Sequence, residues 1–291
     1  MTCRGRLVAL VVVASGCGDD GVDPITKITG PRVLAVVTEP SVLALDGSIQ
    51  LSALTIDPDG PRSGIGAATP PGGRPVDAVR MRACAPWKFI ADPTRDCVGA
   101  DALTLSRNNS GQIVVTADQL SAAFPSPPGV VAPPDPWRVA IAAGLELRVP
   151  IIVEVDVDGQ TLVARRDLHV VDTPVELKNP VLSEIRFDGV ATQTLRAGQR
   201  YALTATVDPA SLDTQVGEDP DRVLETIDCY FYSVEGDLAE PEVDIEDPDV
   251  PVPETEANAY TAGGAGSTWM FVVATDETGG MAADWIFLTI E

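Results

Sequence analysis

Arg200-Tyr201-Ala202-Leu203-Thr204-Ala205-Thr206-Val207-Asp208-Pro209 is the stretch whose reading decides the fold. Tyr201, Leu203, Ala205 and Val207 fall on every second position, with Ala202, Thr204 and Thr206 between them. A period of two places one set of side chains on a buried sheet face and the other set on the opposite face. Asp208-Pro209 closes the run, because proline brings no N–H to a ladder and aspartate favours a turn. Runs of the same kind extend in both directions. Val33 to Val37, Ile49 to Ile56, Val76 to Cys84, Gln112 to Val115, Arg148 to Val157 and Thr161 to Val171 come before it. Val181 to Phe187, Thr226 to Val234, Thr268 to Thr275 and Ala282 to Ile290 complete the second set. All are short, rich in β-branched residues and bounded by Pro, Gly, Asp or Asn, which predicts an all-β protein.

The two sets match each other. Gly47 through Asp57-Pro58 aligns with Gly198 through Asp208-Pro209, with nine residues between glycine and aspartate in each. Ile151 to Gly159 and Leu162 to Val171 align with Phe271 to Gly279 and Ala282 to Ile290 at an offset of 120. Tandem copies of one domain explain such a repeat better than one large sheet does. Under this alignment Ile49 and Leu51 are one residue out of phase with Tyr201 and Leu203, which a bulge in one copy would reconcile. The domains are expected at 31–173 and 181–291, joined by a linker at 174–180 whose Pro174 and Pro180 restrict bending.

Leu51-Ser52-Ala53-Leu54-Thr55-Ile56-Asp57-Pro58-Asp59-Gly60, Leu203 to Pro209, and Val272-Val273-Ala274-Thr275-Asp276 with Gly279-Gly280 resemble immunoglobulin-like domains of the cadherin or polycystic-kidney-disease type, found in tandem on bacterial surface proteins. The likeness covers 31–291. It implies two tandem immunoglobulin-like β-sandwich domains, and it says little about function. The aromatic-aspartate signature of the polycystic-kidney-disease subgroup is missing, so the resemblance is to the general sandwich. The first copy departs from it by a Pro-rich insertion at 99–144. There Thr116 with Gln119 has capping-box spacing, and Asp135-Pro136 before Trp137 to Ala143, with Gly144 as a stop, predicts a second short helix. The insertion reads as a covering for one sheet edge, with a ligand-contacting excursion as the alternative.

At the other end, Arg4 and Arg6 precede an apolar run, Leu7 to Ala14, followed by Ser15-Gly16-Cys17. This resembles a bacterial lipoprotein signal. The resemblance implies removal of 1–16, covalent lipid on Cys17, and a membrane partner reached through that anchor. Gly18 in the next position, rather than aspartate, implies the outer membrane, with the face left open. As a helix, eight apolar residues span about 12 Å, against a hydrocarbon core of about 30 Å, so the run is too short to cross. Two or three acyl chains hold a protein stably where one does not. Residues 17–30 read as a flexible tether. With Cys3 and Cys17 so used, Cys84 and Cys97 are expected to pair in a disulfide, worth about 3 kcal/mol for a loop of this size. Cys229 is left over inside a strand-like run, as a buried small apolar residue.

Composition narrows function further. With 20 Lys and Arg against 43 Asp and Glu, the net charge of −23 repels nucleic acid and anionic headgroups. Residues 213–256 hold sixteen carboxylates and one basic residue, Arg222; the part at 235–256, broken by prolines, reads as a solvated acidic loop. Calcium needs six to eight oxygen ligands. Asp57, Asp59, Asp156, Asp158 and Asp276 are the carboxylates at turns that could contribute, but no spacing matches a calcium loop. His169 is the only histidine and sits in a strand pattern, with no Gly-x-Ser-x-Gly elbow around any serine. Within one chain this excludes a two-histidine zinc site. The aromatic residues are not grouped along the chain as a sugar platform. The expectation is a non-catalytic binding or structural module, whose partner is an envelope or extracellular protein or a glycan. A calcium-stiffened adhesive stalk is the alternative and a hydrolase the remote one.

Overall fold

The computed structural model describes residues 26–63, 75–86, 102–108, 111–125, 135–172, 177–212, 226–245, 253–276 and 279–291. The first repeat holds β1 (Arg32–Glu39), β2 (Leu43–Ala44), β3 (Ser48–Asp57), β4 (Gly60–Ser63), β5 (Ala78–Cys84), β6 (Ala102–Asn108), β7 (Gln112–Thr116), α1 (Ala117–Ala123), α2 (Pro136–Ala142), β8 (Leu147–Val157) and β9 (Gln160–Val171). The second holds β10 (Leu182–Phe187), β11 (Thr194–Leu195), β12 (Arg200–Val207), β13 (Ile227–Ser233), β14 (Asp237–Leu238), β15 (Glu242–Asp244), β16 (Asn258–Thr261), β17 (Gly266–Asp276) and β18 (Met281–Ile290).

Each repeat is a sandwich of a four- and a five-stranded sheet. In the first, β1-β3-β4 with β7 also on β3 faces β2-β9-β8-β5-β6; in the second, β10-β12-β16-β14 faces β11-β18-β17-β13-β15. Among the described residues, β2 on β9 and β11 on β18 are the named strands that pair in parallel, and Lys27 makes a parallel bridge to Ser233 of β13. Alternation drives the burial. Val149, Ile151, Val153, Val155 and Val157 of β8 point into the first core, and Tyr201, Leu203, Ala205 and Val207 of β12 into the second.

The repeat is real, but its alignment shifts by one residue in two places. Ile49 and Tyr201 are equivalent: each is buried and pairs with a buried residue of the next strand, Val115 or Tyr260. The phase difference does not come from a bulge in β3 or β12. Three residues separate β2 from β3, whereas four separate β11 from β12. Likewise β8 corresponds to β17 at an offset of 119, while β9 corresponds to β18 at 120. Val157 pairs with Gln160 around Asp158-Gly159, a two-residue turn with both φ values positive, whereas Thr275 pairs with Met281 across a longer one. A one-residue slip flips every side chain to the other face, so aligning by turn residues put Phe271 where Met270 belongs.

The insertion is also narrower than 99–144. β6 adds to β5 and β7 to β3, so both complete the sandwich, and the added segment lies between β7 and β8. Thr116 caps α1 by accepting from the Gln119 N–H at 3.1 Å, and Asp135 caps α2 by accepting from the Arg138 N–H at 3.2 Å. Rather than covering an edge, the helices fill the core. Leu120, Phe124 and Trp137 belong to the first apolar cluster, and the Trp137 indole donates to the Phe124 carbonyl at 2.9 Å.

A third apolar layer joins the two sandwiches. Ala35 and Val37 of β1 and Leu54 and Ile56 of β3 meet Phe271 and Val273 of β17, with Ile28 completing the cluster. β3 therefore buries both faces, which its sequence announces by the unbroken run Ala53-Leu54-Thr55-Ile56. Gly60 abuts Trp269 so closely, at φ +118°, that a Cβ there would lie 2.8 Å from the indole. In the linker, Asn179 donates to the Thr38 carbonyl at 2.6 Å and accepts from the Met281 N–H at 2.9 Å, tying one domain to the other. Residues 26–30 depart from the expected tether. Ile28 N–H bonds the Ser233 carbonyl at 2.8 Å and Ser233 N–H the Thr26 carbonyl at 2.9 Å, so the chain adds to β13 of the second domain before it enters the first. Part of the acidic segment is ordered too, because Val243 and Ile245 alternate with its carboxylates and are buried in the second core.

Candidate functional site

Of the five turn carboxylates open to calcium, Asp57, Asp156, Asp158 and Asp276 are engaged with the protein itself, and Asp59 is exposed. Asp57, buried at the end of β3, accepts from the Asp59 N–H at 2.8 Å and pairs with Arg62, whose second nitrogen reaches Asp158 at 2.8 Å. Asp156 takes Arg80 in a two-point contact at 2.6 and 2.8 Å, with Thr161 donating at 2.7 Å. Asp276 accepts from the Gly280 N–H at 2.5 Å, and its charge faces Arg166 of β9 in the layer between domains. Burial lowers the Arg166 pKa and Asp276 opposes that.

His169 lies half-buried on β9 with Nδ1 3.5 Å from Glu146, which also binds Arg148 at 2.5 Å. Burial first, then Arg148, pull its pKa down. The ring thus belongs to a surface ion-pair group on the outer face of the first domain. Cys229 is a free, fully buried thiol, pushed up to about 12 by burial. Cys84 ends β5 and is fully buried. Cys97 and the lipid position Cys17 lie outside the described residues.

What the sequence did not reveal is the outer face of the sheet containing β13, β17 and β18. The register sets Tyr232 beside Phe271, Phe271 beside Trp285, and Trp269 beside Phe287. Trp269 packs on Phe287 at 4.8 Å between ring centroids and on Phe271 at 6.3 Å. Aromatics that are scattered along the chain thus form one platform, of which the first domain covers the centre. Beyond Tyr230 the same face turns acidic. Asp228, Glu242 and Asp244 bring carboxylate oxygens within 4.8 Å of one another, and Tyr230, bonded to Glu242, is pushed up to about 12 by burial and that contact. The signal that could have found the trio is the alternation Glu242-Val243-Asp244-Ile245, which puts both carboxylates on one side of a strand.

At the far edge of this sheet, β18 and β10 bound a groove of about 400 Å³ lined by Glu184, Ile185, Gln193, Asp284, Trp285 and Ile286. Asp284 is half-buried there and accepts from the Trp285 N–H at 2.8 Å. Burial raises its pKa above the usual carboxylate value, and the hydrogen bond works against that.

No protein-family model matches the chain, and no curated protein matches it in sequence. Among solved structures it is similar to the fibronectin(III)-like modules of Clostridium thermocellum CbhA, at 12% identity over 88% of this chain and 94% of that one, with a TM-score of 0.25. It is also similar to the Yersinia pseudotuberculosis adhesin InvE, at 14% identity over 87% of this chain and 58% of that one, TM-score 0.21. The FN1–FN3 domains of chicken CNTN1 match at 7% identity over 90% and 69%, TM-score 0.24. Likenesses of this strength carry no argument about activity. Strand order, alternation and paired sheets make the chain an all-β tandem of two immunoglobulin-like sandwiches.

Proposed function

We propose that this protein is a lipid-anchored, extracytoplasmic module that binds or displays rather than catalyses, held at the outer membrane through Cys17. The observation that carries the reading is the ladder between Thr26–Ile28 and Ser233, together with the apolar layer between the sandwiches. Nine residue steps separate Cys17 from Thr26, a reach of about 30 Å when extended. A lipid at Cys17 would therefore moor one two-domain block close to the bilayer. The partner is an envelope or extracellular protein or a glycan, and the strongly negative charge disfavours nucleic acid. Stiffness between domains is supplied by Phe271, Val273, Leu54 and Ile56, which favours this block over a calcium-stiffened stalk. Cys84 pairs with Cys97 in the same reading.

Metabolic labelling with a radioactive fatty acid tests the anchor. Label should follow the chain into the membrane fraction, and Cys17→Ala should lose both the label and the fractionation. Label that persists in Cys17→Ala sinks the anchor. Peptide mapping without reductant tests the disulfide, through a linked fragment containing Cys84 and Cys97.

A further inference from the structure

The geometry points to the open edge of β18, from Ala282 to Leu288, as a docking site for an extended peptide segment of another protein, which adds a strand to the sheet and carries a lysine or arginine opposite Asp284. The inference rests on the reading of the chain as a binding module and names the chemistry of its partner.

Backbone direction comes first. Met281 N–H bonds Asn179 and Thr289 N–H bonds the Gln193 carbonyl, both on the side away from β17. β18 runs in unbroken register with β17, so the N–H and C=O groups of Ala283, Trp285 and Phe287 face the same side, where the Trp285 N–H is already taken by the Asp284 carboxylate. Among the described residues, β11 covers only Thr289 and Ile290 of that edge. An edge of this kind is a template for another strand, and proteins commonly guard it with exposed charge.

The sister domain shows what a guarded edge looks like in this same fold. At an offset of 120, Trp285, Ile286 and Phe287 correspond to Arg165, Arg166 and Asp167 of β9, where Arg165 and Asp167 form an exposed ion pair at 2.9 Å. The second domain replaces those charges with two aromatics and an isoleucine, and leaves Phe287 45% exposed. Its one charge, Asp284, points into the groove beside Ile185 and Ile286 instead of into solvent. Among the described residues no lysine or arginine lines that groove, and burial, opposed by the Trp285 N–H, is the cause of its shift. A half-buried carboxylate without a cation is costly, and a cationic side chain entering the groove offsets that cost. Charge favours the same partner, since residues 174–291 carry 24 Asp and Glu against 5 Lys and Arg, whereas 31–173 carry 16 against 12.

The test is a selection of phage-displayed random decapeptides on the full chain, repeated on Asp284→Lys and on Ala283→Pro, which removes an edge N–H that its own sheet does not use. Enriched peptides should be rich in β-branched residues with a central lysine or arginine. They should bind the parent at least tenfold more tightly than either variant, and slow amide hydrogen exchange at Ala283 and Phe287 at least tenfold. Melting curves establish that the variants fold; should Ala283→Pro melt early, Asp284→Lys and the exchange readout decide. No enrichment above background, equal binding to Asp284→Lys, or unchanged exchange at the edge overturns the proposal. Fatty-acid label on Cys17 is independent of all three, so an anchored protein with an empty selection removes the docking edge alone.

Discussion

Asp284 shows how one side chain ties the edge of a sheet to pH. Its folded pKa is raised, mainly by burial, so the protonated form is favoured in the native state. Stability from this group is complete below the unfolded carboxylate value and is lost as pH rises through the raised folded value. Asp284→Asn removes that loss. The variant should melt higher than the parent at pH 7, and the two curves should converge below the ordinary aspartate range near pH 3.8. A constant difference across pH would mean that the side chain acts through packing instead. Local pattern marks the aspartates at turns; Asp284 lies inside β18, where no turn signal marks it. Among the turn set, Asp57 and Asp158 share Arg62 and Asp156 takes Arg80, and the reach from Arg62 to Asp158 and from Arg80 to Asp156 is one that spacing along the chain does not display.

At the scale of elements, the helical segment between β7 and β8 carries the clearest consequence. Both caps were legible in sequence, because Thr116 and Asp135 act within four residues. Where the helices pack was not legible, because Leu120, Phe124 and Trp137 join a core assembled from strands of both sheets, with α1 against β7 and α2 against β8. Trp137 is fully buried, and truncating it leaves a large cavity under α2. Trp137→Ala should cost about 3–5 kcal/mol in denaturant unfolding. A loss below about 1 kcal/mol would return the segment to a surface role. Removal of 99–144 would delete β6 and β7 together with the helices, so a shortened loop must replace only the stretch between β7 and β8.

At the scale of the whole molecule, the layer between sandwiches makes two domains behave as one. Phe271 is fully buried in it, and Gly60 touches Trp269 from the opposite domain. Phe271→Ala should cost about 3–5 kcal/mol and split a single calorimetric transition into two. Gly60→Ala meets both the indole and a positive φ, and should weaken the same layer by about 1–3 kcal/mol. Two separate transitions in the unmodified protein would mean that the layer does not couple the domains. Calcium offers a further check, since nothing in this coupling needs it. The melting midpoint should be the same in millimolar calcium and in chelator, and an upward shift with calcium would revive the stiffened stalk.

Local pattern determined eleven of the eighteen strands among the described residues, the two repeats, the helix caps and the all-β class, because alternation, capping and turn chemistry act between residues a few positions apart. Alignment to the nearest residue, the engagement of 26–30 with β13, the double burial of β3 and the aromatic platform were decided only in three dimensions. Each depends on which face meets which neighbour, among residues that lie far apart along the chain. A single extra residue in a turn reverses that face without changing the strand on either side of it.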